Sequence, residues 1–233
     1  MKILAVDTST TVMGIALMDD HKIYAETVTN LRKNHSVRLM PMMDQLFTEI
    51  NWTAKEIDLI AVAQGPGSYT GVRIGVTTAK TFSWALNIPL IGISTLEAMA
   101  YQHQHYNGSI SPLLDARRGQ VYTGLYSGLD KWENVEEDRI IQLHEWLEQL
   151  KEKDKKVLFI GEDVFLHKDL IRDMMGEQAN FTSPVFEIPR PGIIGFLAKE
   201  RYEKGDRENT FDFAPAYLQL AEAEAKWLAK QKG

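Results

Sequence analysis

The sequence predicts an α/β protein built from two similar lobes, and three observations support this. Strand-like and helix-like patterns alternate along the 233 residues, as in proteins whose helices flank a sheet. The stretches ILAVDTSTTVMGIALMD and SPLLDARRGQVYTGLYS share one order: apolar strand, Asp, polar turn, Gly and second strand. The hydrophobic fraction of 44% suffices for one large core or two small ones. Because the repeat is short, two unrelated hairpins would also produce it.

The first lobe is predicted to begin with a hairpin and to continue with alternating helices and strands. Apolar residues at three- and four-residue steps indicate its helices, and a continuous apolar run indicates a strand covered on both faces. Pro41 falls in the second turn of the first helix and predicts a kink or a later start there. The predicted elements are strands 3–9, 14–20 and 22–29, helix 36–50, strand 58–64, helix 70–86, strand 89–94 and helix 95–103.

The second half repeats this theme after the hairpin within residues 111–127. Its further elements are helix 142–152, strand 156–162, helix 167–175, strand 180–184, helix 192–205 and a last helix beginning near Tyr217. The acidic run ENVEED (133–138) is expected to be a solvated loop. We therefore divide the chain into a first lobe, residues 1–104 completed by the C-terminal helix 217–233, and a second lobe, residues 105–216.

Composition narrows the class of protein. The absence of cysteine excludes disulfides, thiolate metal sites and a cysteine nucleophile, and suits a reducing cytoplasm. Neither a signal peptide nor a run of about 18 apolar residues is present, so we expect a cytoplasmic protein without a membrane span. The formal charge of −6 argues against a protein that holds a nucleic-acid backbone by itself.

The stretch DTSTTVMG (7–14) follows the first strand directly. Asp7, Thr8 and Ser9 are candidate ligands for the phosphates of a nucleotide, because hydroxyls and turn amides suit anions. The same residue types also form ordinary hairpin turns, which composition alone favours. Asp7 and Asp115 hold equivalent places in the two repeats. They are either two carboxylates that face a cleft between the lobes or two caps of hairpin turns.

The stretch QGPGSYTGVRIG (64–75) resembles a phosphate-binding loop but lacks its key residues. No Gly-Lys-Ser/Thr follows for a Walker loop, and Thr70 stands where a dinucleotide fingerprint has its third glycine. Bare amides at the start of the following helix could still bind an anion. Gly65 and Gly67 are interpreted as turn glycines between a strand and a helix.

Small residues recur every four positions along that helix, at Gly71, Gly75, Ala79 and Ser83, and therefore share one face. Each interior glycine costs a helix about 1 kcal/mol relative to alanine, which a close contact with another element would offset. That element could belong to another molecule or to the same lobe. For the intermolecular case we expect Gly75→Leu to leave the lobe folded and to weaken association.

No catalytic or metal-ligating set is predicted. His103 and His105 are two residues apart, which places them on different faces of a helix. The stretch HEWLE (144–148) has Glu148 where a zinc-protease helix needs its second histidine. No Gly-x-Ser-x-Gly nucleophile motif occurs.

Five stretches together resemble one known family. They are ILAVDTSTTVMGIAL, NHSVRLMPMM, AVAQGPGSYTGVRIGVTTAK, SPLLDARRGQVY and RPGIIGFLA, which are distributed over nearly the whole chain. They resemble the TsaB family, also called YeaZ, and the run GPGSYTGVRIG is quite specific to it. The resemblance implies the two-lobed actin-like ATPase fold (ASKHA, ribonuclease H-like), each lobe a mixed sheet flanked by helices.

The resemblance also implies a role in the formation of threonylcarbamoyladenosine (t6A) beside the anticodon of tRNAs that read ANN codons. In that family TsaB is a non-catalytic paralogue of TsaD, which transfers the threonylcarbamoyl group made by TsaC to N6 of adenosine. The implied partners are TsaD directly, TsaE through the TsaB–TsaD complex, TsaC as a further candidate, and a second copy of the chain. TsaB needs no cofactor of its own, ATP and metal belong to TsaD, and tRNA is contacted only indirectly.

The family's contact surface maps here onto the helices Ser36–Ile50 and Thr70–Leu86. Its candidate residues are His35, Leu39, Met43 and Arg73, together with Gly71, Gly75, Ala79 and Ser83. The chain departs from the family at Gln219, where members often carry Arg, so any partner contact of that arginine is in doubt. Two alternatives remain: a small actin-fold ATPase or phosphotransferase that uses Asp7, Thr8 and Ser9, and a glycoprotease-like peptidase. The resemblance implies that the catalytic paralogue TsaD carries a metal-binding pair of histidines four residues apart on a helix, and the lack of such a pair here disfavours the peptidase.

Overall fold

The computed structural model describes residues 1–31, 34–128 and 131–218, which contain two mixed sheets of five strands. The first sheet has the order β3-β2-β1-β4-β5. In it, β2 is antiparallel to β1 and β3, while β4 is parallel to both β1 and β5. Its strands are β1 (Ile3–Asp7), β2 (Val12–Met18), β3 (Ile23–Asn30), β4 (Leu59–Gly65) and β5 (Leu90–Ser94).

The second sheet repeats the first in strand order and direction. Its order is β8-β7-β6-β9-β10, with β7 antiparallel to its neighbours and β9 parallel to β6 and β10. Its strands are β6 (Ser109–Asp115), β7 (Gln120–Ser127), β8 (Glu133–Gln142), β9 (Val157–Ile160) and β10 (Ala179–Phe181). The short sequence repeat therefore marks a true duplication of the α/β unit, as predicted.

Six α-helices in the described residues cover these sheets. They are α1 (His35–Glu49), α2 (Tyr69–Leu86), α3 (Thr95–Tyr101), α4 (Leu143–Glu152), α5 (Val164–Met175) and α6 (Pro191–Glu203). Helices α1 and α2 share a core with the first sheet, and α4 and α5 share one with the second. Helix α6 lies within residues 105–216, yet its Ile194 and Leu197 pack against Ile3 of the first sheet. The predicted helix 217–233 falls, beyond Leu218, outside the described residues.

The predicted elements agree with the observed ones except in a few places. Residues 133–138 are the start of strand β8 rather than a loop, because they pair with β7 at the edge of the second sheet, where charged side chains reach solvent. Helix α1 begins at His35 with Asn34 as its N-cap, and it runs through Pro41 without a later start. None of the helices in these residues is long and apolar enough to cross a membrane.

Polar contacts join the two lobes. Asp138 of β8 accepts hydrogen bonds from Ser94 at the end of β5 and from Tyr126 of β7. Burial raises the pKa of the Asp138 carboxyl above its usual range, although both hydrogen bonds lower it. At another point Glu162, in the turn after β9, accepts hydrogen bonds from Asn30 and Thr11 of the first lobe. The contacts of Glu162 bring the end of β9 in the second sheet beside the turn between β1 and β2 in the first.

Candidate functional site

The turn between β1 and β2, called the first hairpin turn (residues 8–11), carries the predicted phosphate-binding candidates. Asp7, Thr8 and Ser9 are each no more than 1% exposed. The hydroxyl of Thr8 donates to the carbonyl oxygen of Gly71 at 2.7 Å. The amide and hydroxyl of Ser9 donate to Oδ1 of Asp7 at 2.8 and 2.6 Å. The three candidates are thus together, but their donors are used within the chain.

Asp7 is the one member of this group with an unused polar atom. Its Oδ2 is buried and has no hydrogen-bond partner among residues 1–31, 34–128 and 131–218. Burial raises the pKa of the Asp7 carboxyl, while the Ser9 hydrogen bonds and the nearby His35 lower it. His35 at the start of α1 approaches the same turn, with Nε2 2.9 Å from the carbonyl oxygen of Thr10. The turn is therefore closed by α1 as well as by its own residues.

The glycine-rich stretch at the start of α2 packs against the same turn. Gly65 ends β4 at a φ of +108°, a conformation that suits glycine. The amide of Ser68 donates to the carbonyl oxygen of Ser9 at 2.7 Å, and a Cβ built on Gly67 would overlap that same oxygen. Ser68 then caps α2 by accepting from the amide of Gly71 at 3.3 Å. The interpretation of Gly65 and Gly67 as turn glycines is confirmed.

The small-residue face of α2 points into its own lobe. A Cβ on Gly71 would overlap the carbonyl oxygen of Thr8, and one on Gly75 would lie 2.7 Å from the Thr8 hydroxyl. Ala79 belongs to the core, and Ser83 donates to the carbonyl oxygen of Ile88 at 2.6 Å. The first hairpin turn thus supplies the close contact at Gly71 and Gly75, and of the two possibilities left open by the spacing, the contact within the same lobe is the one observed. The interpretation of these four residues as an outward docking groove is wrong.

Two further interface candidates also lie inside the lobe. Leu39 and Met43 are each 1% exposed and pack in the core between α1 and the first sheet. His35 is half-buried against the first hairpin turn, whereas Arg73 is exposed. A Cβ at Gly75 would already lie 2.7 Å from the Thr8 hydroxyl and 3.5 Å from Val62, so we now expect Gly75→Leu to disturb the lobe itself.

The opposite faces of α1 and α2 form the outer helical surface, which we define by Val37, Met40, Tyr69, Arg73 and Trp84. The exposed fractions of Val37 and Trp84 are 67% and 68%, and Met40 and Tyr69 are exposed as well. A groove of about 530 Å³ runs between the two helices. Its lining residues are Ser36, Leu39, Met40, Tyr69, Thr70, Arg73, Ile74, Thr77 and Thr78.

One end of this surface is ordered by ring contacts. Arg73 donates to the Tyr69 hydroxyl at 2.7 Å and lies over the Tyr69 ring. The ring of Tyr217 stacks on the ring of Tyr69, with the two centroids 5.0 Å apart. Sequence reasoning selected Arg73 on this surface and missed the apolar residues. The spacing from Arg73 to Trp84, three helical turns along one face, was the available signal.

The histidines form no metal centre in the part of the chain that the structure describes, where no group of three potential ligands converges. His103 Nε2 lies 3.3 Å from the carbonyl oxygen of Phe186, and burial lowers the pKa of the His103 imidazole. His144 faces Glu148 across 3.6 Å on the exposed side of α4. These residues have surface and packing roles.

The duplicated sheet, with its second strand antiparallel in both halves, defines the class: a two-lobed protein of the actin-like ATPase fold. YeaZ from Pseudomonas aeruginosa has this fold, with a TM-score of 0.75 at 22% identity over 93% of this chain and 99% of that one. Residues 22–227 match the family model "TsaD: tRNA N6-adenosine threonylcarbamoyltransferase".

Curated relatives specify the family more closely. The Bacillus subtilis (strain 168) tRNA threonylcarbamoyladenosine biosynthesis protein TsaB is 48% identical over the full length of both chains. The Escherichia coli (strain K12) protein of the same name is 34% identical over 64% of this chain and 68% of its own length. The chain belongs to the TsaB family.

Proposed function

We propose that this chain is a non-catalytic subunit required for threonylcarbamoyl transfer to N6 of the adenosine beside the anticodon in tRNAs that read ANN codons. It acts in the cytoplasm by binding and supporting TsaD, the catalytic subunit that holds ATP and metal. TsaE joins through the TsaB–TsaD complex, and TsaC is a further candidate partner. The single observation that carries this proposal is the outer helical surface, in a chain whose relatives are named as t6A biosynthesis proteins.

The non-catalytic assignment is supported by the first hairpin turn. A nucleotide site of this fold would need the hydroxyls and amides of that turn to face a ligand. Here Thr8 and Ser9 donate within the chain, and the glycines of α2 press against their carbonyl oxygens. Replacing these contacts with phosphate would break two buried hydrogen bonds, which are costly to leave unmade.

The docking assignment is supported by the exposed side chains of α1 and α2. Met40 and Tyr69 line the same groove as Arg73, and such a combination of aromatic, methionine and arginine side chains is enriched in protein interfaces. We propose that one patch serves both TsaD and a second copy of the chain. Self-association and TsaD binding would then exclude each other.

Reconstitution of the reaction tests this function. Purified TsaC, TsaD and TsaE from the same cell are incubated with threonine, bicarbonate, ATP and a tRNA transcript, with and without this chain, and t6A is measured by mass spectrometry. We expect t6A only when the chain is present. Met40→Asp/Trp84→Asp should abolish that effect, whereas Asp7→Asn should keep it. Full t6A formation without the chain would contradict the proposal.

One observation favours the ATPase alternative: the buried Oδ2 of Asp7 has no hydrogen-bond partner among the described residues. Equilibrium binding of labelled ATP to the isolated chain separates the two functions. Tight, magnesium-dependent binding that Asp7→Asn removes would favour the alternative. We expect no such binding.

A further inference from the structure

The turn between β6 and β7, called the second hairpin turn (Ala116–Gly119), has an unfavourable backbone for its sequence. Arg117 and Arg118 have φ angles of +66° and +55°, and Gly119 has +76°. The amide of Gln120 donates to the carbonyl oxygen of Arg117 at 3.0 Å, so Arg118 and Gly119 are the central residues of the turn. Such turns strongly favour Asn-Gly at these two positions, because side chains with a Cβ are strained at positive φ. Two consecutive arginines here keep a strained turn that a common sequence would relax.

The fold holds this turn in place from both sides. The carbonyl oxygen of Gly119 accepts from the amide of Leu143 at 2.9 Å. On the other flank, the amide of Asp115 donates to Asp163 at 2.8 Å, and His167 lies 3.5 Å from the Asp115 carboxylate. Strain that surrounding structure maintains points to a function rather than to a packing need.

The Arg117 side chain provides no packing that would explain the strain at its own position. Arg117 and Arg118 are both exposed. The Arg117 side chain has neither a hydrogen bond nor an ion pair with residues 1–31, 34–128 or 131–218, whereas Arg139, Arg190 and Arg201 are each paired with a glutamate. The pair therefore places guanidinium charge on the surface of a chain whose net charge is −6.

We propose that the second hairpin turn binds phosphate groups of an RNA backbone, with Arg117 and Arg118 as the contacting side chains. Guanidinium groups bind phosphate in a bidentate manner, and such contacts position a protein on nucleic acid without reading its sequence. The inference rests on the proposed function, which supplies the RNA as the tRNA substrate of the complex. The proposed RNA contact is confined to this one turn, because the net negative charge of the chain as a whole disfavours RNA binding elsewhere.

Two features of the turn favour RNA over other anions. Residues 115–120 expose no large apolar side chain, whereas protein interfaces depend on apolar and aromatic anchors. A free nucleotide needs a concave pocket for its base, and this turn projects from the end of a hairpin. An RNA backbone needs neither, since its phosphates are reached from outside.

The test uses the variant Arg117→Asn/Arg118→Gly in the assembled TsaB–TsaD–TsaE complex. The control Lys155→Asn/Lys156→Asn removes the same charge from another exposed site. Binding of a labelled tRNA transcript is measured from 50 to 300 mM salt. We expect the arginine variant to bind about tenfold more weakly, with a salt slope smaller by about 1.5, because two phosphate contacts are lost. The control should retain both values.

Three further readouts keep the result interpretable. The arginine variant should unfold about 5 °C higher than the unchanged chain, which excludes misfolding as the cause of weaker RNA binding. Its TsaD affinity should be unchanged, so that a failure of RNA binding is distinguished from a failure of the proposed function. Unchanged tRNA affinity and salt slope in the arginine variant would overturn the inference. So would a loss of TsaD binding, or a variant in which only the binding of labelled ATP is weakened.

Discussion

The two hairpin turns occupy equivalent places in the duplicated fold and differ in almost every physical respect. In the first turn, Thr8 and Ser9 are buried beneath the start of α2, and their hydroxyls bond to Gly71 and Asp7. In the second turn, Arg117 and Arg118 are exposed and have positive φ, and the Arg117 side chain has no partner in the described residues. The buried half of the first turn is enclosed by its own lobe, whereas the second turn projects from its sheet.

This difference separates a turn that is filled by its own lobe from a turn that is exposed to solvent. At the first turn the glycines of α2 let backbone approach backbone, so the space near Thr8 and Ser9 is filled by protein. Gly71 and Gly75, whose spacing could suggest a docking groove, instead make this contact inside the lobe. We therefore propose the outer faces of α1 and α2 and the second hairpin turn as the surfaces that contact other molecules.

The largest expected effect concerns the seal over the first turn. Gly71→Ala should lower the free energy of unfolding by about 3 kcal/mol, because its Cβ meets a backbone oxygen that cannot move away. The control is Gly195→Ala in α6, where the new Cβ lies 2.5 Å from Sδ of Met18, the flexible end of a side chain. The control should stay within about 1 kcal/mol of the unchanged chain. Equal losses in urea unfolding would show that the first turn is not tightly sealed.

A smaller and opposite effect is expected at the second turn. Arg117→Asn/Arg118→Gly should raise the free energy of unfolding by about 1–2 kcal/mol, since both new residues tolerate positive φ. The matching exchange at the first turn, Thr8→Asn/Ser9→Gly, should instead destabilise, because Thr8 loses a buried hydrogen bond. Calorimetric unfolding of both variants checks the comparison. Destabilisation of the second turn by its exchange would mean that the arginines stabilise the fold.

The smallest effect concerns the charge on Asp7. Because burial raises its pKa above the ordinary 3.8, the folded protein binds the proton more readily than the unfolded chain. Stability contributed by Asp7 therefore falls as pH rises from about 3.8 through the raised folded pKa. Asp7→Asn, which removes the charge, should raise the unfolding temperature at pH 7 and lose this advantage below pH 4. Equal stabilisation of the variant at both pH values would contradict the claim that Asp7 is charged and buried at pH 7.

Much of the fold was predictable because the local signals agree with the topology. The hairpin repeat, the buried apolar strand β4 and the apolar spacing of α1 all correspond to observed elements. Strand β8 was missed because its first half is acidic, and only pairing with β7 makes that half a strand. An edge strand takes its structure from its neighbour rather than from its own composition.

The candidate site was predicted less well, since burial depends on which element packs on which face. The spacing of Gly71 and Gly75 correctly indicated a close backbone contact and could not say that Thr8 supplies it. Leu39 and Met43 belong to the apolar face of α1, which helical periodicity assigns to a core. The positive φ angles at Arg117 and Arg118 have no signal in the sequence, because arginine is uncommon in such turns.

The most direct test of the central claim, that this chain acts through the outer helical surface, is the affinity for purified TsaD measured by titration calorimetry. Met40→Asp/Trp84→Asp places two charges on that surface, while Phe165→Asp alters an equally exposed apolar residue on α5, 70% exposed. We expect the first variant to weaken binding by about a hundredfold and the second to leave it within about twofold. Unchanged affinity for the first variant, or a large loss for Phe165→Asp alone, would contradict the account.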